Sequence, residues 1–122
     1  MKTEIFFTVL GEPASKANSR QLVRLNGRPA FIKSKKARDY VNAFKLQCPK
    51  MSELMQGDLS VSIKIFYASR RPDLDESVIL DAMQGLVYEN DRQVKEKHVY
   101  HGLDKQNPRA EIKVSQVSGA GA

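Results

Sequence analysis

The stretch Leu59-Ser-Val-Ser-Ile-Lys-Ile-Phe-Tyr67 alternates strictly, with Leu59, Val61, Ile63, Ile65 and Tyr67 on one side. A period of two over nine residues is the pattern of a β-strand with one buried face, and it cannot be accommodated on a helix. The rest of the chain has to supply that strand with neighbours and a cover. Thr3 to Leu10 is rich in β-branched and aromatic residues and reads as a first strand, closed by Gly11-Glu12-Pro13. Gln21 to Leu25 and Arg28 to Ile32 flank Asn26-Gly27, the pair that suits a type I′ hairpin turn, and Pro29 makes the second arm an edge or irregular strand.

A helical period begins after Ser34, a suitable N-cap, and carries Ala37, Tyr40, Val41, Phe44 and Cys48 on one stripe until Pro49 stops it. A second, shorter helix spans Leu74 to Leu86, with Gly85 weakening or ending its last turn. Glu89-Asn90-Asp91 forms a turn, Val94 to Tyr100 a strand, Gly102 to Pro108 a loop, and Ala110 to Val117 a last strand. The expectation is an α+β fold, a small mixed β-sheet with two main helices packed on it. With 122 residues there is one core and one domain, residues 1–117, followed by a frayed tail, 118–122.

Composition narrows the class further. Hydrophobic residues make up 41% and charged residues 28%, and no apolar run approaches the length of a membrane span. There is no secretory signal pattern, and the single cysteine, Cys48, has no disulfide partner in the chain, so a cytoplasmic location is expected. The net charge of +6 is unevenly spread: residues 1–50 hold eleven Lys and Arg against three acids, whereas residues 51–100 hold six against nine. A basic first half attracts a polyanion, of which nucleic acid is the commonest.

The acids of the second half are grouped. Asp73 and Asp75 lie two apart where the strongest strand gives way to a helix; in extended backbone that spacing turns both side chains the same way. Two carboxylates so close need a cation or a proton between them. Asp91 follows the helix at a turn that would return it to the same end of the sheet, completing an oxygen donor set suited to a hard divalent ion. Arg70 and Arg71 precede the pair and place phosphate-binding groups beside it. The plainer reading is that Asp73 or Asp75 caps the helix beginning near Glu76.

The run Arg71-Pro72-Asp73-Leu74-Asp75, the helical Leu80-Asp81-Ala82, and Val87-Tyr88-Glu89-Asn90-Asp91-Arg92-Gln93-Val94 together resemble the signature of the RusA family of crossover junction endodeoxyribonucleases, the phage and prophage Holliday junction resolvases. The resemblance covers most of the chain, from the first strand through the Pro-Ser loop, basic hairpin and helix to the last two strands. It implies that Asp73 and Asp75 are paired catalytic carboxylates, that Asp91 is a third metal ligand, and that a homodimer cuts branched DNA, the four-way junction, with Mg²⁺ or, as a substitute, Mn²⁺. If the chain is encoded by a phage or prophage, its location is the bacterial host cytoplasm.

Three departures stand out. Glu76 follows the second aspartate where the family commonly has Asn; Ile79 stands where it commonly has a functional lysine; and the interval from Asp75 to Asp81 is about two residues short. Glu76 and Asp81 are therefore possible supporting acids, with Asp81 suited to positioning a basic group from a packed helix. Lys95, Lys97 or a first-loop cation would have to compensate for Ile79.

Candidate DNA contacts are Lys16 and Arg20 in the first loop, Arg24 and Arg28 on the hairpin, Lys33, Lys35 and Lys36 where the first helix begins, and Arg70 and Arg71. Taken singly, each belongs more often to a solvated surface than to a direct contact, and the cluster as a whole is the better evidence. His98 and His101 lack the ligands for a structural zinc site and read as polar surface. Phe6, Phe7, Tyr40, Phe44, Phe66 and Tyr67 read as core, and Phe31 as the exposed aromatic, able to stack on an opened base or to cover apolar surface. The reaction expected is phosphodiester hydrolysis at a four-way junction. The competing readings are a noncatalytic basic protein that binds DNA junctions and a less selective metal-dependent nuclease.

Overall fold

In the computed structural model of the chain, which describes residues 4–13, 20–68 and 76–117, the alternating stretch is the centre of a sheet. Its apolar set, Leu59, Val61, Ile63, Ile65 and Tyr67, is at most 1% exposed. The strands are β1 (Glu4–Leu10), β2 (Arg20–Leu25), β3 (Arg28–Lys33), β4 (Leu59–Tyr67), β5 (Val94–Leu103) and β6 (Arg109–Gln116), and the helices are α1 (Lys35–Gln47) and α2 (Glu76–Met83). Strand order in the main sheet is β1-β6-β4-β5, while β2 and β3 form a ribbon of their own. β4 is antiparallel to β6 and parallel to β5. The sheet is therefore mixed, as expected, and the two helices complete an α+β arrangement.

Both helices cover one face. α1 starts where the Ser34 hydroxyl accepts a hydrogen bond from the Ala37 N–H at 3.2 Å, and it buries Ala37, Tyr40 and Phe44. Phe44 meets Phe7 of β1 edge to face, with ring centroids 6.0 Å apart. Cys48 ends the helix, its N–H bonded to the Phe44 carbonyl, and its buried thiol is pushed up to about 11 by desolvation. α2 buries Val78, Ile79, Leu80, Ala82 and Met83 and stops short of Gly85, whose φ of +83° turns the chain away. The helix expected to run to Leu86 is thus shorter at its end, and its expected first residues, Leu74 and Asp75, lie outside the described residues.

The opposite face of the sheet is open. Phe6, expected in the core, is 66% exposed because the register of β1 turns Glu4, Phe6, Thr8 and Leu10 outward and Ile5, Phe7 and Val9 toward the helices. Phe66 lies on this open face too, with the Arg109 guanidinium 4.2 Å above its ring and Tyr100 beside it. Phe66 pairs in register with Gly102, where a Cβ would overlap the Phe66 ring. β5 accordingly continues past Tyr100, through His101 and Gly102, to Leu103. No alternation of apolar residues announces that extension; the parallel ladder with β4 carries it.

The Asn26-Gly27 turn forms as expected, with φ of 54° and 77° at the two positions. Pro29 is accommodated because a two-stranded ribbon consists only of edges, and it stands opposite Arg24.

Candidate functional site

The turn that carries Asp91 is fixed by side-chain amides rather than by packing. Asn90 is extended, and its Oδ1 accepts from the Arg92 N–H at 2.9 Å. Gln93 Oε1 accepts from the N–H groups of Glu89 and Asn90, both at 3.1 Å. Its Nε2 donates to the carbonyls of Met55 and Gly57 at 2.9 and 3.1 Å. Asp91 opens a one-turn 3₁₀ helix, Asp91–Gln93, and its own N–H donates to Gln84 Oε1 at 3.3 Å. The main chain of Asp91 is held while its side chain is exposed, and its carboxylate makes no hydrogen bond or ion pair with another described residue.

The position of this turn corrects one expectation. Asp91 does not return to the end of the sheet at which β4 finishes. Val94 pairs with Leu59, so the turn lies where β4 begins, because a parallel neighbour must start at the same end. α2 closes the difference instead. Glu76, its first residue, lies 3.3 Å through Oε1 from Lys97 Nζ, and Lys97 sits only three residues into β5. Asp75 adjoins Glu76 in sequence. α2 therefore runs between the two: its first residue, Glu76, follows Asp75 in sequence, and Gln84, just past its last, holds the main chain of Asp91.

Beneath Asp91, Tyr88 is fully buried and donates its hydroxyl to the Leu80 carbonyl at 2.6 Å. Its phenol is pushed far above the usual range, first by burial and then by the Asp91 and Asp81 carboxylates. It remains a neutral donor, bracing the turn against α2.

Asp81, the expected supporting acid, is paired with a lysine from another element. Lys33 Nζ lies 2.5 Å from Asp81 Oδ2, and Gln84 Nε2 donates to Asp81 Oδ1 at 2.8 Å. Since Gln84 also receives the Asp91 N–H, a continuous chain runs from Lys33 through Asp81 and Gln84 to the main chain of Asp91. Lys33, expected to contact DNA, is therefore engaged within the protein and half-buried. Gln84 and Gln93 were not identified from the sequence, since an isolated glutamine carries no pattern; only the capping spacing of Asn90 and Gln93 could have pointed to the second.

Ile79 is 0% exposed. A side chain there faces the core, so that position cannot present a cation to the acids in this register of α2. Among the described residues, Lys97, reaching Glu76, and Lys33, reaching Asp81, are cations that pair with α2 from other elements.

The remaining candidates divide cleanly. Arg20, Arg24, Arg28, Lys35 and Lys36 are all exposed, and Lys35 pairs with Asp39 at 2.7 Å. Lys16, Arg70, Arg71, Asp73 and Asp75 lie outside the described residues. The roots of the two segments that carry them are nevertheless joined: Glu12 Oε2 accepts from the Ala68 N–H at 2.9 Å. Glu12, just before the first loop, was another residue with no sequence signal. Among the described residues, no group of three or more His, Cys, Asp or Glu side chains could hold a metal, and no helix is long and apolar enough to cross a membrane.

The family model described as endodeoxyribonuclease RusA matches residues 11–115. A search of curated proteins finds no match.

Proposed function

Starting from the chain's membership of the endodeoxyribonuclease RusA family, a family of crossover junction nucleases, we propose that it resolves four-way DNA junctions by metal-dependent phosphodiester hydrolysis at Asp73, Asp75 and Asp91. The observation that carries this reading is the state of Asp91, an exposed carboxylate on a main chain held by Gln84, Asn90 and Gln93. A carboxylate fixed at its root, with both oxygens open, suits a hard divalent ion that takes oxygen ligands and keeps some of its waters. Mg²⁺ is the ion of choice, with Mn²⁺ as a substitute. When bound, such an ion supplies Lewis-acid activation of water and neutralises charge growing on the phosphate.

The protein's own groups then have separate tasks. Asp73 and Asp75 join Asp91 as ligands, with Glu76 and Asp81 outside them, each already paired with a lysine. Lys97 stands at the start of α2, where a cation can meet the phosphate or the departing oxygen, the task for which Ile79 is unavailable. Lys16, Arg70 and Arg71 hold the cleaved strand. Arg20, Arg24 and Arg28, with Lys35 and Lys36, bind phosphates further out. A homodimer presents two such centres to a substrate with approximate two-fold symmetry.

The test is cleavage of a synthetic four-way junction, a matched duplex and a single strand, each with Mg²⁺ or EDTA. Symmetric nicking of the junction alone, lost in Asp75→Asn and in Asp91→Asn, is the expected result. Tight junction binding without any metal-dependent product would replace this reading with that of a noncatalytic binding protein. Equal cleavage of all three DNAs would make the protein a less selective nuclease.

A further inference from the structure

The β2–β3 ribbon has two unlike faces. Residues paired across it share a face, so Arg20, Leu22 and Arg24 lie with Lys33, Phe31 and Pro29 on one side. On the other side Val23, Ala30 and Ile32 are partly buried, while on the first side Phe31 is 73% and Leu22 61% exposed. An apolar cross-strand pair thus stands open to solvent with an arginine on either side of it along β2. No acid occurs in the sequence between Glu12 and Asp39. Arg28 is left on the opposite face, near the turn.

This combination selects among occupants. A second copy of the same face would bring arginine against arginine and is disfavoured. A protein partner of acidic character would satisfy the arginines without needing a flat aromatic between them. A nucleic acid strand with an unstacked base needs both: a π-face for the base and cations for the phosphates on its two sides. Intact duplex hides its base faces and offers only the phosphates.

We infer that the exposed Phe31–Leu22 pair, flanked by Arg20 and Arg24, is a stacking platform for an unpaired base at the branch point of the DNA substrate. It is the feature that favours branched over continuous duplex DNA. The inference builds on the nuclease reading above, and its consequences are separable from it. Phe31 supplies the selective contact, whereas Arg20 and Arg24 supply affinity common to every DNA.

The experiment compares wild-type protein with Phe31→Ala, Phe31→Trp and Arg24→Ala in EDTA, measuring dissociation constants for a four-way junction and a matched duplex. A second readout is the fluorescence of 2-aminopurine placed at the branch point. Phe31→Ala should weaken junction binding roughly ten-fold with little change for duplex, and should abolish the protein-induced fluorescence change. Phe31→Trp should restore both. Arg24→Ala should weaken junction and duplex alike and lower the salt dependence by about one phosphate contact. Because Phe31 is so exposed, its truncation should leave the unfolding midpoint unchanged, so loss of fold would not account for the effect.

Equal effects of Phe31→Ala on junction and duplex, or none on either, would overturn the platform while leaving the nuclease reading intact. Absence of DNA binding by the wild-type protein would overturn the nuclease reading itself. Vesicles of phosphatidylserine serve as a further arm: binding to them that Phe31→Ala removes, without any effect on DNA, would reassign the face to membrane and overturn the inference.

Discussion

Lys33 Nζ and Asp81 Oδ2 stand 2.5 Å apart although 48 residues separate them in the chain. The pair joins the end of β3, where the basic ribbon meets α1, to the helix that leads to Asp91. It makes the orientation of the basic ribbon and that of the Asp91 turn parts of one hydrogen-bonded chain.

The first prediction concerns that chain. Lys33→Met and Asp81→Asn should each lower stability by about 1 kcal/mol, as expected of a partly exposed charged hydrogen bond. The double variant should cost little more than either alone, because the two substitutions remove one interaction. Gln84→Leu should leave binding of junction in EDTA unchanged and raise the Mg²⁺ concentration needed for half-maximal cleavage by roughly ten-fold, the usual penalty for loosening a ligand's support. Urea unfolding and metal titration of cleavage measure the two effects.

Lys97 and Ile79 can be set against each other. Lys97→Met should reduce the cleavage rate by about a hundred-fold to a thousand-fold, the scale of removing one transition-state donor, with junction binding in EDTA nearly unchanged. Ile79→Lys should not rescue it. The position is fully buried, so a lysine there places an unpaired charge in the core and costs several kcal/mol. Single-turnover cleavage with Tm as a control separates the outcomes.

Gly102 permits the Phe66 ring to lie across β5. Gly102→Ala puts a methyl group into that ring and should destabilise the protein by about 1–3 kcal/mol through overpacking. Phe66→Ala combined with it should remove the penalty of the added methyl group. Urea unfolding of the four proteins tests this.

Acid should find a weak point at the β5–β6 connection. Arg109 donates to Asp104 Oδ2 at 2.7 Å, and that bond, aided by the N–H groups of Asn107 and Gln106, holds the Asp104 carboxyl below the usual carboxylate range. The folded value is below the unfolded one, so the contribution is complete above the unfolded value, about pH 4, and is lost as the pH falls through the folded value. The urea midpoint of the wild-type protein should therefore drop more steeply below pH 4 than that of Asp104→Asn, with the two curves converging at the acid end.

Much of this architecture could be read from residue patterns, for identifiable reasons. β4, the hairpin turn and α1 each combine a clear period with a strong terminator, and all three form where expected. Phe6 was misassigned because a run of three apolar residues, Ile5-Phe6-Phe7, does not say which of them faces inward; the register with β6 decides. The far end of β5 was missed because His101 and Gly102 have no pattern apart from Phe66. At the candidate site, the turn carrying Asp91 was legible from its Glu-Asn-Asp run, whereas Gln84, Gln93 and Glu12 act through hydrogen bonds to particular main-chain groups far off in sequence or around that turn. Such contacts leave no periodic trace, and only tertiary structure selects them.

The parallel pairing of β4 with β5 has a further consequence. Two parallel neighbours cannot be joined by a tight turn, so the chain leaving Tyr67 must travel back before Val94 can begin. That obligatory return is the segment in which Asp73, Asp75 and α2 are encoded. A nuclease emptied of its acids by deletion would therefore lose an edge of its sheet as well, and only point substitutions can separate the chemistry from the architecture. Any drift in the length of this return, such as the short interval before Asp81, is constrained by the strand it must deliver.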